Sequence, residues 1–388
     1  MKILFLPFLQ IPTGHHTVAD AIIRSISRRI PNAECAKIDF FSYADKLLER
    51  AFRLTYLTWI DHSPQTFVWL YKNFVYPTKS TKHFNWYEYK FLDKMNDLLE
   101  EEQPDLIVCT QAFPSFLIDR LKNSGITTAP VINVYTDFFI NKLWGSSNID
   151  YHFVPDRYIK TQLMEQNHID PSRIFITGIP IDECFTPRPS LASQSVRPYH
   201  ILISGGSGGL GDLETLISSL PGKKDRSYIF SLLCGKNKKL YKDVLSLKRP
   251  NLKPLSYISS RETINALYDE ADAIITKPGG VTISEALHKH LPIFVHSSLP
   301  GQEEINKEYL KQRELIYELD LSYPIADQLD LFFGDTNKQS VWQERVNSYL
   351  KEIEVTAWQK VMEFAVAQTF KKQPKYKEKR SIISQSSS

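Results

Sequence analysis

Short apolar, β-rich runs alternate with helically spaced segments along most of the chain, and this alternation restricts the fold more than any other feature. Ile3–Pro7 is apolar at successive positions, as a strand covered on both faces must be. Thr17–Ile30 follows, with Val18, Ile22, Ile26 and Ile30 at helical spacing. Further strand runs are Asp105–Thr110, Val131–Thr136 and His152–Pro155. Strands separated by helices pair in parallel, with helices over the sheet. From Pro187 to Pro198 the text becomes PRPSLASQSVRP, and its prolines and serines mark a linker. The alternation then restarts. Strands are predicted at His200–Ser204, Tyr228–Cys234, Ala273–Thr276 and Pro292–His296, and helices at Leu210–Leu220, Ser260–Ala271, Thr282–His288 and Gln302–Gln312.

The expectation is an α/β chain with two Rossmann-like domains, residues 1–190 and 191–339, facing each other across a cleft. Residues 340–370 read as one helix returning toward the first domain, with Trp342, Val346, Leu350, Ile353 and Ala357 at three- and four-residue spacing. Residues 371–388 are basic and then serine-rich, the composition of a disordered tail.

Composition narrows the function classes. Of 388 residues, 42% are hydrophobic and 23% charged, the balance of a soluble globular protein. The net charge of +3 is too small for a nucleic-acid binder. Locally clustered basic groups remain compatible with an anionic membrane surface. Cys35, Cys109, Cys184 and Cys234 form no CxxC pair, so neither a zinc site nor a disulfide framework is indicated, and a reducing compartment fits. The opening MKILFLPFLQ reads as a buried strand rather than a signal segment, and no apolar run reaches the ~18 residues of a membrane span. Residues 52–91 break the rhythm with thirteen aromatics interleaved with lysines and histidines. They read as a helical insert packed on the core, as an apolar acceptor channel or interfacial anchor, or as both.

Two glycine-rich turns carry the chemistry. The strand His200–Ser204 runs into GGSGGLG and a helix, where glycines let backbone N–H groups approach phosphate. Gly206, Gly208 and Gly211 also satisfy G-x-G-x-x-G, which admits a dehydrogenase. That reading needs an acidic residue closing the next strand, whereas this strand ends in Leu232, Leu233, Cys234 and Gly235. A tight turn with no ligand is the third alternative. The second turn lies in KPGGVTISEALHKHLPIFVHSSLPGQEEIN, Lys277–Asn306. Here a strand ends at Lys277, Gly279 and Gly280 open a helix, and Thr282 sits in its first turn. Free amides and a hydroxyl at a helix N-terminus suit a diphosphate. Glu285 follows about one and a half turns in, where a carboxylate can accept two ribose hydroxyls. After the next strand, Gln302 and Glu303 start a helix and can bond sugar hydroxyls. Helix capping accounts for each piece singly, but the three together within one βαβ unit fit a nucleotide sugar.

On these residues the chain resembles family 28 glycosyltransferases, in particular the branch of diacylglycerol glucosyltransferases and monogalactosyldiacylglycerol synthases. The resemblance covers most of residues 1–320 and is specific at Lys277–Asn306. It implies the GT-B fold with a C-terminal helix crossing back, a UDP-sugar donor, inversion at the anomeric carbon, and no cofactor or catalytic metal. It further implies a lipid acceptor and a cytoplasmic enzyme held peripherally on the inner face of the cell membrane. Carried over by position, Lys277, Gly279, Gly280 and Thr282 face the diphosphate, with Ser207 and Gly208 from the earlier turn. Glu285 resembles the ribose ligand, Gln302 and Glu303 the sugar-binding pair, and Tyr257 and Ile258 present backbone to the uracil.

The first strand leads to Pro12-Thr13-Gly14-His15-His16. In the family pattern this is a glycine turn facing the donor at Gly14, and His15 aligns with the general base, a task that imidazole suits near neutrality. The alternative is that His15 or His16 only caps the helix. Asp137, at the end of its strand, would assist the base or support the cleft, and His16, Asn141 and Trp144 belong to the acceptor side. Three positions depart from the pattern: Pro12 for a glycine, Asn141 for a histidine and Asp182 for an arginine. A carboxamide cannot act as a base, though it can bond a hydroxyl. The departures keep open a non-catalytic UDP-sugar-binding regulatory homologue. An NAD-dependent dehydrogenase and a UDP-N-acetylglucosamine 2-epimerase are further readings.

Overall fold

In a computed structural model the chain forms two parallel six-stranded sheets with helices packed against them. The structure describes residues 1–7, 14–45, 85–126, 129–188, 197–205, 213–222, 227–299 and 301–372. Pro12, Ser207, Gly208 and most of the 52–91 insert therefore lie outside the described residues, as do 189–196 of the linker and 373–388 of the tail.

The first sheet contains β1 (Lys2–Leu6), β2 (Glu34–Lys37), β3 (Leu106–Cys109), β4 (Val131–Val134), β5 (Tyr151–Val154) and β6 (Ile174–Ile176), in the order β2-β1-β3-β4-β5-β6. Its helices are α1 (Gly14–Arg29), α2 (Phe40–Ala44), α3 (Asn85–Glu102), α4 (Ala112–Asn123) and α5 (Arg157–Asn167). The second sheet contains β7 (Tyr199–Ser204), β8 (Tyr228–Leu233), β9 (Leu252–Leu255), β10 (Ala273–Thr276), β11 (Ile293–Val295) and β12 (Tyr317–Glu318), in the order β12-β11-β10-β7-β8-β9. Its helices are α6 (Leu213–Ser219), α7 (Lys238–Ser246), α8 (Arg261–Glu270), α9 (Gly280–His288), α10 (Gln302–Gln312) and α11 (Ile325–Phe333), followed by α12 (Thr336–Lys351) and α13 (Ala357–Lys372).

The strands are apolar at successive positions because both faces are covered. Ile3, Leu4, Phe5 and Leu6 are fully buried, as are Ile201, Leu202 and Ile203, each contributing roughly 1.5–3 kcal/mol. α1 buries Val18, Ala19, Ile22 and Ile26, and its last turn carries Arg28 and Arg29, the sign that suits a helix C-terminus. α5 is capped by Asp156, whose carboxylate accepts Ile159 N–H at 3.0 Å. Phe91, from the end of the aromatic-rich stretch, packs among Phe40, Phe41 and Phe113, so this residue serves the core.

Two expectations need correction. α1 begins at Gly14 rather than Thr17, which places His15 in the first helical turn. The region 340–370 is two helices, α12 and α13, broken at 352–356. The break is where the chain leaves one domain for the other: Glu354 N–H donates to Ile176 O at 2.8 Å, and the Glu352 carboxylate accepts Arg157 N–H at 2.8 Å. A straight helix could not present both groups to the first sheet's rim. α13 then packs on the first domain, where Phe364 stacks on Tyr151 at 3.7 Å.

Candidate functional site

Both sheets reverse strand order beside their first strand, and such reversals open a crevice at the strands' C-terminal ends. In the first sheet β1 is flanked by β2 and β3, so the loops after β1 and β3 diverge. α1 starts after one and α4 after the other, which brings His15 and Gln111 together. In the second sheet β7 lies between β8 and β10, and the turn after β10 carries Lys277–Gly280. The two crevices face each other. A side chain at Gly280 would meet the Thr136 carbonyl, and a Cβ at Gly14 would lie 3.2 Å from Val281 Cγ2. Glycine at 280 is thus dictated by the close approach of two backbones.

His15 has Thr136, Gln111 and the Thr110 backbone as polar neighbours. Its Nδ1 is 2.7 Å from Thr136 Oγ1, and its Nε2 is 3.4 Å from Gln111 Nε2. Gln111 is the N-cap of α4, and its Oε1 accepts Ala112 N–H, so its amide nitrogen turns toward the imidazole. An amide N–H beside Nε2 selects the tautomer that carries its proton on Nδ1 and donates it to Thr136. Burial lowers the His15 pKa below the ordinary 6.5, and the negative charge of Asp137 opposes that fall. The ring is therefore neutral at neutral pH, with a lone pair on Nε2. His16 instead has its Nε2 3.8 Å from Asp39, the N-cap of α2.

On the donor side, Gly279 is the N-cap of α9 and supplies no side-chain cap. The space where its Cβ would lie is open to 4 Å, so the first-turn amides and Thr282 can receive a bulky anion. Lys277 is buried at the strand end, within electrostatic reach of Glu303. Gly301 has φ 96°, a conformation that L side chains rarely adopt, and it turns the chain into α10. The turn is closed by Glu303, whose carboxylate accepts Leu299 N–H at 2.5 Å, and by Glu304, which accepts Gly301 N–H at 3.3 Å. Burial raises the Glu303 pKa. Gln302 starts α10.

Glu285 is placed differently from the open carboxylate expected of a ribose ligand. It is 4% exposed, ion-paired with Arg261, and accepts Tyr268 O–H at 3.2 Å. Burial raises its pKa, while Arg261 and Tyr268 pull the other way. Tyr257 is exposed, its ring 5.2 Å from Lys236 Nζ, and Ile258 is half-buried beside it. Asp182, found where an arginine is usual, is buried. Burial alone would raise its pKa, but Cys184 N–H at 3.1 Å and Arg24 Nε at 2.5 Å hold it below the usual carboxylate range. The positive charges facing it come from α1, on Arg24 and Arg28.

Asn141 and Trp144 lie on the loop after β4, beyond Thr136 and Asp137 in the chain. They line a cavity of about 900 Å³ between α5, α10 and the loop after β4, together with Tyr135, Tyr158, Ile305 and Tyr309. Trp144 packs 4.6 Å from the Tyr135 ring, and Asn141 Oδ1 accepts Leu143 N–H at 3.1 Å. Gln111, Arg261 and Asn306 were not singled out as site residues from the sequence. Gln111 is signalled by its place directly after a strand, but only the strand order shows that this strand borders the crevice.

The model of the monogalactosyldiacylglycerol synthase family matches residues 15–181, and that of the glycosyltransferase family 28 C-terminal domain matches residues 200–315. A protein of Bacillus subtilis named uncharacterized glycosyltransferase YkoN is 41% identical over 357 residues, covering 91% of this chain and 94% of the relative. The processive diacylglycerol beta-glucosyltransferase of the same organism is 30% identical over 239 residues, covering 60% and 61%. Among solved structures, Acinetobacter baumannii MurG superposes with a TM-score of 0.57 at 15% identity, covering 95% of this chain and 100% of that one, a likeness of fold. The dehydrogenase reading loses its ground, since both halves of the chain match glycosyl-transferring families. The chain is a GT-B glycosyltransferase belonging to family 28, with an N-terminal half of the monogalactosyldiacylglycerol synthase type.

Proposed function

We propose that this glycosyltransferase moves a hexose from a UDP-sugar to a hydroxyl of a diacylglycerol-like lipid, with inversion. The observation that carries the reading is the placement of His15: a neutral imidazole between Thr136 and Gln111, opposite the uncapped N-terminus of α9. The acceptor hydroxyl displaces the Gln111 amide from Nε2 and gives its proton to the imidazole. Its oxygen bonds to the anomeric carbon as the bond to the diphosphate breaks. UDP departs with its charge on the first-turn amides of α9 and on Lys277, while Asp137 steadies the imidazolium. The cavity lined by Asn141 and Trp144 receives the acceptor's apolar part. The names of the diacylglycerol-glucosylating relatives support a lipid acceptor, and a lipid acceptor would be met at the cytoplasmic face of the membrane. Among the described residues no helix is long and apolar enough to cross a membrane.

The test is UDP release from UDP-glucose, UDP-galactose and UDP-N-acetylglucosamine over vesicles containing diacylglycerol, with products read by mass. Absence of both UDP binding and donor turnover would sink the proposal. UDP-sugar binding without transfer to any lipid selects the regulatory reading, which Asn141 in place of a histidine favours.

A further inference from the structure

The inward face of α10 carries Asn306, 1% exposed, three residues past Glu303. Its carboxamide joins three segments. Nδ2 donates to Asp137 Oδ1 at 2.9 Å and to Pro278 O at 3.1 Å, and Oδ1 accepts Phe138 N–H at 2.9 Å. Asp137 and Phe138 end a strand loop of the first domain. Pro278 belongs to the diphosphate turn of the second, and Asn306 itself to the sugar-reading helix. Asp137 in turn acts by charge on both His15 and Glu303.

Neither an aspartate nor a leucine satisfies this set. An ionised aspartate of the same shape accepts only, so it loses both donor bonds and sets a second anion beside Asp137. A leucine leaves a buried carboxylate oxygen, a carbonyl and an N–H unpaired. A carboxamide both donates twice and accepts, which this position requires.

We propose that Asn306 is a positioning residue. It fixes Asp137, the residue next to the Thr136 that lies 2.7 Å from His15, and it does so only while the sugar-reading helix and the diphosphate turn are docked on the first domain. The ring's hydrogen-bond partners belong to the first domain, and the neighbouring charge of Asp137 is set by domain contact. The inference deepens the transferase reading and rests on it for its kinetic consequences.

The test compares the wild type with Asn306→Ser and Asn306→Asp in two measurements. The first is the titration of His15 followed by its imidazole NMR signals, with no substrate present. The second is the pH dependence of UDP release from UDP-glucose over phosphatidylglycerol vesicles holding dioleoylglycerol. In Asn306→Ser the His15 midpoint should fall, because Asp137 is no longer held near the ring. Its kcat should drop about 100-fold while the donor KM stays within about 3-fold, since misplaced catalytic groups rather than lost binding are responsible. Asn306→Asp keeps the shape and guards against a folding failure. Its deficit relative to the wild type should shrink as pH falls toward about 5, where a protonated carboxyl again has a proton to donate.

An unchanged His15 midpoint in Asn306→Ser overturns the inference. So does a rate loss that follows thermal stability alone, with a flat pH ratio for Asn306→Asp. If the wild type releases no UDP but the midpoint still moves, the positioning stands and the transferase reading falls. If the wild type turns over and the midpoint does not move, the transferase reading stands and the positioning falls.

Discussion

Thr136 Oγ1 lies 2.7 Å from His15 Nδ1, joining the first turn of α1 to the end of β4 across 121 residues of sequence. The hydroxyl can accept the Nδ1 proton while the Gln111 amide faces Nε2. Thr136→Val keeps the volume and removes the acceptor. Transfer should slow about tenfold, the equivalent of ~1.4 kcal/mol for one hydrogen bond. Donor affinity, measured by UDP titration calorimetry, should not change.

His15→Ala should reduce kcat by about 10²- to 10⁴-fold, the range of general-base catalysis, and leave UDP affinity nearly intact. The pH profile is the more specific check. Burial lowers the His15 pKa, so the base stays unprotonated below the ordinary 6.5. The acid limb of kcat/KM should therefore lie below that value. An acid limb above it would mean that another group limits the rate.

Gly279 and Gly280 are adjacent yet predict opposite outcomes. A Cβ at 280 would be driven into the Thr136 carbonyl and would lie 2.9 Å from Ile179 Cδ1, so Gly280→Ala should cost about 1–3 kcal/mol of stability and force the domains apart. A Cβ at 279 meets nothing within 4 Å, so Gly279→Ala should melt like the wild type yet bind UDP more weakly. Equal melting temperatures for the two variants would refute the assignment of the cleft.

Glu285 makes a pH-dependent contribution to stability. Burial raises its folded pKa above the unfolded 4.5. Its contribution is therefore present in full below 4.5 and is lost as pH rises through the raised folded value. Glu285→Gln lacks this loss. In melts from about pH 4 to about pH 7, the wild type should lose ground to Glu285→Gln as pH rises.

The glycine turn proposed for the donor was legible as a strand-to-helix turn because one continuous βαβ unit carries it. Gly279, Gly280 and Thr282 fall at a helix start, and the glycine at 280 is required by a contact that only the folded chain reveals. The parallel α/β character was equally open to reading, since strands such as Ile3–Leu6 have no polar face. The partners of His15 were harder. Gln111 is 96 residues away and Thr136 is 121, and nothing local states that β3 pairs with β1. Glu285 shows the same limit from the other side. Its position within the motif is evident, but its pairing with Arg261 and Tyr268 depends on how α8 packs against α9. Strands as short as β12 and β6 carry too few residues for a periodic signal.

The crossing of α13 onto the first domain makes the two halves inseparable as folding units. Phe364 stacks on Tyr151 and sits 5.7 Å from Phe175, and Arg29 lies 4.1 Å from the Trp358 ring. A fragment ending at the linker would bare that aromatic patch to water, and a fragment beginning there would trail an unmated helix. The helix at 357–372 finishes the first domain, so a chain emerging from the ribosome cannot complete its N-terminal half until that helix has been made.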